Sequence, residues 1–368
     1  MKGVVAFLVC SCCPELFAQD TLNLSLLFVG DIMQHESQMK AAYNPLLDTY
    51  EYTPCFQWVK PILSSADLTI GNLELTLGGK PYSGYPQFSA PDELLGAIRD
   101  AGFDVLVTAN NHSVDRGSRG LERTIQLLDS IGLEHTGTFR DTLEWLNQNP
   151  LVVIRSGFRL SILNYTYGTN GIPVRKPNQV NHIDTARIKS DLQRAAAQHT
   201  DASIVFFHWG EEYKSMPNER QQQVAAFCLR NGAKVVIGSH PHVIQPMEWD
   251  REKDQVVVYS LGNFISGQRT RYRNGGAMFH LNLRKVVQAD GASKTSVNDA
   301  AYSLVWVNRT SDARRAFQLV PVLESGVDST LVQSAIYREL MHEFVLDART
   351  LLEKENKGVR ERRKLPDR

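Results

Sequence analysis

Between Leu22 and Phe264, short apolar runs of strand length alternate with amphipathic stretches of helix length, and run after run ends in a polar cluster. Leu24 to Val29 leads into Gly30-Asp31, and Leu68 to Gly71 into Asn72. Phe103 to Thr108 runs into Ala109-Asn110-Asn111-His112, and Ser203 to Phe207 into His208-Trp209-Gly210. Lys234 to Ile237 precedes Gly238-Ser239-His240-Pro241-His242, and Val256 to Ser260 precedes Gly262-Asn263-Phe264. Residues 92–101, 121–131, 183–198 and 218–230 have helical spacing; Pro91 suits a first turn, and Gly102, Gly132 and Gly232 act as stops. This alternation predicts an α/β protein with a largely parallel sheet. Such sheets bind ligands at the carboxyl ends of their strands, which is where the polar clusters fall.

A chain of 368 residues has room for one large core and an appendage. The expected divisions are a leader over 1–19, a main domain over 22–285 and a carboxyl-terminal extension over 286–368. Within the extension, 286–299 reads as a polar loop, 301–307 and 316–323 as strands, 329–354 as helix, and 360–368 as a basic, solvated tail. Lysine plus arginine and aspartate plus glutamate both total 40, so the basic excess of a general nucleic-acid binder is missing. At the start, Lys2 precedes the apolar stretch Val4 to Val9, the cluster Cys10-Ser11-Cys12-Cys13 and the small residue Ala18. The stretch is too short to span a bilayer and fits a secretory signal peptide, so the expected location is the periplasm or cell envelope. The cysteines also permit a lipoprotein signal, with Cys12 acylated and the protein attached to a membrane. Without the leader only Cys55 and Cys228 remain, which cannot form a disulfide framework and read as buried thiols.

Taken singly the polar clusters say little, because an isolated Asp31 serves a helix cap or a turn as readily as an ion. His240-Pro241-His242 is more specific. In an extended segment residues two apart point to the same side, and Pro241 disfavours helix at His240. In combination, five strand ends offer Asp31, Asn72 with Glu74, Asn111 with His112, His208, and His240 with His242. Imidazole, carboxylate and amide donors suit Mn, Fe or Zn rather than a sulfur-bound structural zinc. Two divalent ions about 4 Å apart polarise a phosphoryl group, generate hydroxide and stabilise a leaving oxygen.

The motifs Gly30-Asp31-Ile32-Met33, Gly71-Asn72-Leu73-Glu74, Asn110-Asn111-His112-Ser113-Val114-Asp115-Arg116-Gly117, His208-Trp209-Gly210-Glu211-Glu212, Gly238-Ser239-His240-Pro241-His242 and Tyr259-Ser260-Leu261-Gly262-Asn263-Phe264 occur in a telling order. In that order they resemble the CapA-type proteins, named for poly-γ-glutamate capsule biosynthesis, of the calcineurin-like metallophosphoesterase superfamily. The resemblance runs from Leu24 to Leu283, roughly seven tenths of the chain. It implies a four-layer α-β-β-α sandwich with metal ions at the strand ends. By this resemblance Asp31 is the carboxylate of the first metal, Asn111 an amide ligand of the second, and His208, His240 and His242 the histidine ligands. His112 would be the general acid, oriented by Asp115, and Glu212 a partner of its neighbour His208. Two departures from the wider superfamily stand out. Met33 occupies a position where many of these enzymes place a histidine, and a thioether is a poor ligand for a hard ion. Asn72 stands near the usual bridging carboxylate, with Glu74 two residues on and able to reach in.

After Phe264 comes Gln268-Arg269-Thr270-Arg271-Tyr272-Arg273, followed by Gly275-Gly276. The three arginines suit either a forked clamp on phosphate or carboxylate, or a solvated edge strand whose charges prevent aggregation. The expected function is that of an exported metal-dependent hydrolase acting on a phosphoester or an anionic polymer of the envelope. The other reading is an accessory protein of capsule assembly that binds a polyanion without turning it over; substrate is a property of the site, not of the family label.

Overall fold

A computed structural model describes residues 20–309, 317–322 and 331–364. The expected leader, Cys12, parts of the 316–323 strand and the end of the basic run lie outside the described residues. Among the described residues two large sheets carry the core. The first has nine strands: Gln318–Pro321, Ser293–Asn308, Gly275–Val287, Asp20–Ile32, Leu68–Leu73, Val105–Val107 and Glu134–Thr136 in spatial order, with Asn263–Ile265 pairing Asp20–Ile32 and Arg360–Glu361 pairing Ser293–Asn308 off that path. The second has six, in the order Met247–Asp250, Gln255–Val258, Val235–Ser239, Ala202–His208, Phe158–Thr166 and Leu151–Arg155.

Period-two patterning explains why the sheets stack. Leu24, Leu26 and Phe28 point to one side and pack with Ile204, Phe206, Val235 and Ile237 of the other sheet. Leu27 and Val29 point to the opposite side, against Leu94, Leu95 and Ile98 of the helix Glu93–Ala101. On the far sheet, Val205, Phe207 and Val236 face Ile188 and Leu192 of helix Thr185–Ala197 and Val224 and Cys228 of helix Glu219–Arg230. Strands apolar on both faces are what a helix-covered parallel sheet requires. The result is helix, sheet, sheet, helix, the four-layer sandwich that the resemblance implies. Each fully buried Phe or Leu in it is worth about 1.5–3 kcal/mol relative to exposure. Cys55 and Cys228 are both buried free thiols, pushed up to about 12 by desolvation and thus unreactive.

In the first sheet the side from Asp20–Ile32 to Glu134–Thr136 is parallel and the side from Gly275–Val287 to Gln318–Pro321 antiparallel; in the second, parallel strands form the centre and antiparallel strands the margins. The expected polar loop over 286–299 is instead the tip and rising arm of a hairpin between Gly275–Val287 and Ser293–Asn308. Its polar sequence reflects exposure at the tip rather than lack of structure. The extension is continuous with the first sheet, because Gln318–Pro321 and Arg360–Glu361 both pair with Ser293–Asn308. The basic run is therefore held at its start, where Arg360 pairs with Asp299 at 3.1 Å and Arg349 reaches Glu361 at 2.8 Å.

Register delivers the site. Asp31 is paired with Asn72 on one side and Asn263 on the other, and His208 is paired with Ser239. Gly30 makes the crossing possible: a Cβ there would lie 1.9 Å from the carbonyl oxygen of Gly262, and the next amide, Asp31, donates to that same oxygen at 3.0 Å. The strand ends of the two sheets thus face one another.

Candidate metal centre

Asp31, Asn72, Glu74, Asn111, His208, His240 and His242 all converge and are all buried. Asn72 Nδ2 donates to Asp31 Oδ1 at 2.8 Å and lies 3.2 Å from His208 Nδ1. Asp31 Oδ2 lies 3.1 Å from His242 Nδ1 and accepts from the His240 amide at 3.2 Å. His208 Nε2 lies 2.8 Å from Asn111 Oδ1 and 3.1 Å from His240 Nδ1.

Glu74 is the central group. Its amide donates to Ile32 O at 3.0 Å, which carries the side chain inward past the end of its strand. It is 0% exposed, with Oε1 at 3.5 Å from His208 Nε2 and 3.8 Å from His242 Nε2. Neither carboxylate oxygen has a hydrogen-bond partner. A buried carboxylate without donors requires a proton or a cation, and burial followed by the charge of Asp31 pushes Glu74 well above the usual carboxylate range. Two sets of donors cluster around it, Asp31 with Glu74 and His208, and Glu74 with His240 and His242. Glu74 belongs to both, so the residues fit a pair of divalent ions sharing one carboxylate.

Two of the imidazoles, His208 and His240, are in the neutral state that metal binding needs. Burial, and then the charges of His240 and His242, hold His208 well below the usual histidine range. Burial likewise lowers His240 to about 3, so both rings are neutral at pH 7. Burial raises Asp31, but the hydrogen bond and charge of His242 and the Asn72 amide outweigh it and keep it ionised.

His240 and His242 converge, but not by the expected extended backbone. They sit at φ +97° and +58°, on either side of Pro241, with ring centres 5.9 Å apart. Left-handed geometry at a non-glycine residue costs on the order of 1–3 kcal/mol and persists where its surroundings hold it. Here the Asp31 carboxylate takes the His240 amide and the Tyr213 amide donates to Pro241 O at 2.7 Å.

His112 stands beside this cluster. Its Nδ1 is 2.7 Å from Asp115 Oδ2, which also accepts the Phe88 amide at 2.7 Å. The His112 amide donates to Asn110 Oδ1 at 3.0 Å, and its Nε2 has no partner among the described residues. Glu212 is exposed and makes no hydrogen bond to His208; it stands beside Tyr213, whose hydroxyl is raised to about 12 by burial and then by Glu212. The arginine segment is a loop, not an edge strand. Arg271 is bound to Asp347 at 2.7 Å and Glu343 at 3.2 Å on the helix Ala335–Glu355, which removes it from any clamp. Arg273 lies over the ring of Tyr213 at 3.2 Å, and that ring is 6.1 Å from His242. Arg269 is exposed and has no ion pair among the described residues.

Several contributors had no expected role. Asn263 Oδ1 lies 3.1 Å from His242 Nδ1, and Tyr167 lies 4.6 Å from the His240 ring. His35 accepts the Gly267 amide at Nδ1 across 3.1 Å and sits edge-on to Phe88 at 5.4 Å. Asn263 lies in a motif legible in the sequence; Tyr167 and His35 lie in loops whose approach depends on the fold.

A four-layer sandwich whose strand ends gather buried carboxylate, amide and imidazole groups defines an α/β protein with a candidate metal centre. Residues 25–268 match the bacterial capsule synthesis protein PGA_cap family, and the chain belongs to that family. The capsule biosynthesis protein CapA of Bacillus anthracis is 30% identical over 276 residues, spanning 71% of this chain and 64% of the relative. The PGA biosynthesis protein CapA of Bacillus subtilis (strain 168) is 28% identical over 286 residues, spanning 74% and 70%. The chain thus covers less than two thirds of the Bacillus anthracis protein's length. Among solved structures, the Haemophilus influenzae NAD nucleotidase aligns with a TM-score of 0.48 at 12% identity, over 94% of this chain and 65% of that one. The calcineurin-like phosphoesterase YfkN of Bacillus subtilis aligns with a TM-score of 0.46 at 13% identity, over 88% and 99%.

Proposed function

We propose that the protein is an exported, metal-dependent hydrolase that cleaves a phosphoester, carried on or leading to an anionic polymer of the cell envelope. The observation that supports this most is Glu74, a fully buried carboxylate with no hydrogen-bond partner, between His208 and His242 and near the His112–Asp115 pair. Asp31, Asn72, Glu74, Asn111, His208, His240 and His242 would hold two divalent ions, Mn, Fe or Zn. When bound, such ions supply Lewis acidity and a hydroxide nucleophile at neutral pH. The chain's own residues do the rest. The Asp115 carboxylate accepts a hydrogen bond from His112 Nδ1–H, which fixes the ring and stabilises its doubly protonated form, whose Nε2–H passes to the departing oxygen and leaves the ring neutral. Arg273, held on Tyr213, offers its guanidinium to an anionic group at the rim.

Export rests on the leader-like residues 1–19, and envelope attachment on Cys12. Mass spectrometry of protein from the native host should find an amino terminus near Gln19 or Asp20, or a lipid on Cys12. Met1 retained in soluble cytosolic protein would overturn it. Capsule metabolism is supported by the family, whose members are named for capsule and PGA biosynthesis.

A second reading has one specific support, Met33, buried at a position where a metal ligand would otherwise stand. It makes the protein a polyanion-binding accessory component without turnover. Turnover of a chromogenic phosphodiester separates the two. The hydrolase reading expects activity on adding Mn or Zn to chelated protein and none before; activity indifferent to chelator, or none with any metal, would overturn it.

A further inference from the structure

His35 lies outside both donor sets around Glu74, yet it is built into the same site. Its ring sits edge-on to Phe88 at 5.4 Å, and Phe88 in turn sits edge-on to His112 at 4.6 Å. Two loops close on it. A Cβ at Gly84 would lie 2.4 Å from the Glu36 amide, and a Cβ at Gly267 would lie 2.5 Å from His35 Cβ. The first loop delivers the Phe88 amide to Asp115, and the second follows Asn263, which touches His242. His35 is thus wedged between the acid side and the ligand side of the centre.

The tautomer is determined by its surroundings. The Gly267 amide donates to Nδ1, so Nδ1 carries no proton and a neutral ring carries its hydrogen on Nε2. Burial lowers the ring to about 4 against the opposing pull of the Gln38 side chain, and keeps it neutral at pH 7. Among the described residues the ring's well-aligned hydrogen bond is the one at Nδ1, which leaves Nε2 at the partly exposed side of the ring. A donor with fixed direction and no protein acceptor is suited to an acceptor that arrives with a ligand.

We infer that His35 is a substrate-positioning residue whose Nε2–H donates to an oxyanion, phosphate or carboxylate, of the substrate bound beside His112. The inference rests on the hydrolase reading of the centre and adds to it the group that orients the substrate without touching the metals. Asparagine and glutamine at this position separate donation from packing. The Asn carbonyl oxygen mimics Nδ1 and keeps the Gly267 bond while losing the donor. The Gln amide mimics Nε2 and keeps the donor while losing that bond.

The test is titration calorimetry of inorganic phosphate into manganese-loaded protein, with metal content and Tm recorded for each variant. His35→Asn should bind phosphate about tenfold more weakly than the native protein, with metal content and Tm unchanged. His35→Gln should bind within a fewfold of native. Native affinity in His35→Asn, or loss in His35→Gln alone, would overturn the inference and leave His35 a loop anchor. Absence of phosphate binding by the native, metal-loaded protein would overturn the hydrolase reading as well as this inference.

Discussion

Glu74 presents Oε1 to His208 Nε2 across 3.5 Å, and both side chains are fully buried. No donor satisfies the carboxylate, so the metal-free protein holds it at a cost that a cation relieves. Its folded-state value is raised above the ordinary 4.5. A group shifted that way contributes its stability in full below pH 4.5 and loses it as pH rises through the raised value.

Glu74→Gln removes that loss, because an amide does not ionise. With a chelator present, the variant should gain on the native protein as pH rises from 4.5 towards 8. Adding divalent metal should reverse the order, since only the native protein then gains binding energy. Denaturant melts across that range check both; a gap that ignores pH, or equal stabilisation by metal, would contradict the assignment.

His112→Asn keeps a donor for Asp115 but removes the titrating nitrogen. Turnover of phosphodiesters with poor leaving groups should fall about a hundredfold with metal content intact. The loss should shrink for nitrophenolate, which departs without protonation. Equal losses for both substrate types would count against proton delivery.

Arg271 and Arg273 should behave differently although they are two residues apart. Arg271→Ala breaks an exposed pair with Asp347 and should leave both Tm and phosphate affinity nearly as they were. Arg273→Ala should weaken binding of anionic substrates severalfold and flatten its salt dependence. Salt titrations of the two variants compare them directly; a larger effect from Arg271 would relocate the anion contact.

The layered fold was legible because strands such as Leu24 to Val29 and Ser203 to Phe207 are short, nearly continuous apolar runs that end abruptly in polar residues. The convergence of Asp31, Glu74, His208 and His242 was legible for the same reason, since strand ends in a parallel sheet share one edge. The left-handed turn at His240 and His242 was not, because positive φ in a non-glycine residue is imposed by tertiary contacts such as the Asp31–His240 amide bond. His35 carries no strand-end signal; its place depends on Gly267, 232 positions away. The 286–299 hairpin was missed because its residues are polar at an exposed tip, where hydrophobic alternation fades.

The central claim is that Glu74 joins two ions held by the histidines and Asp31. Anomalous diffraction from crystals soaked in manganese tests it most directly. Two peaks about 4 Å apart should flank the Glu74 carboxylate, one near Asp31 and His208, the other near His240 and His242. A map with no peak beside Glu74, or a single ion that its carboxylate does not touch, would contradict the account.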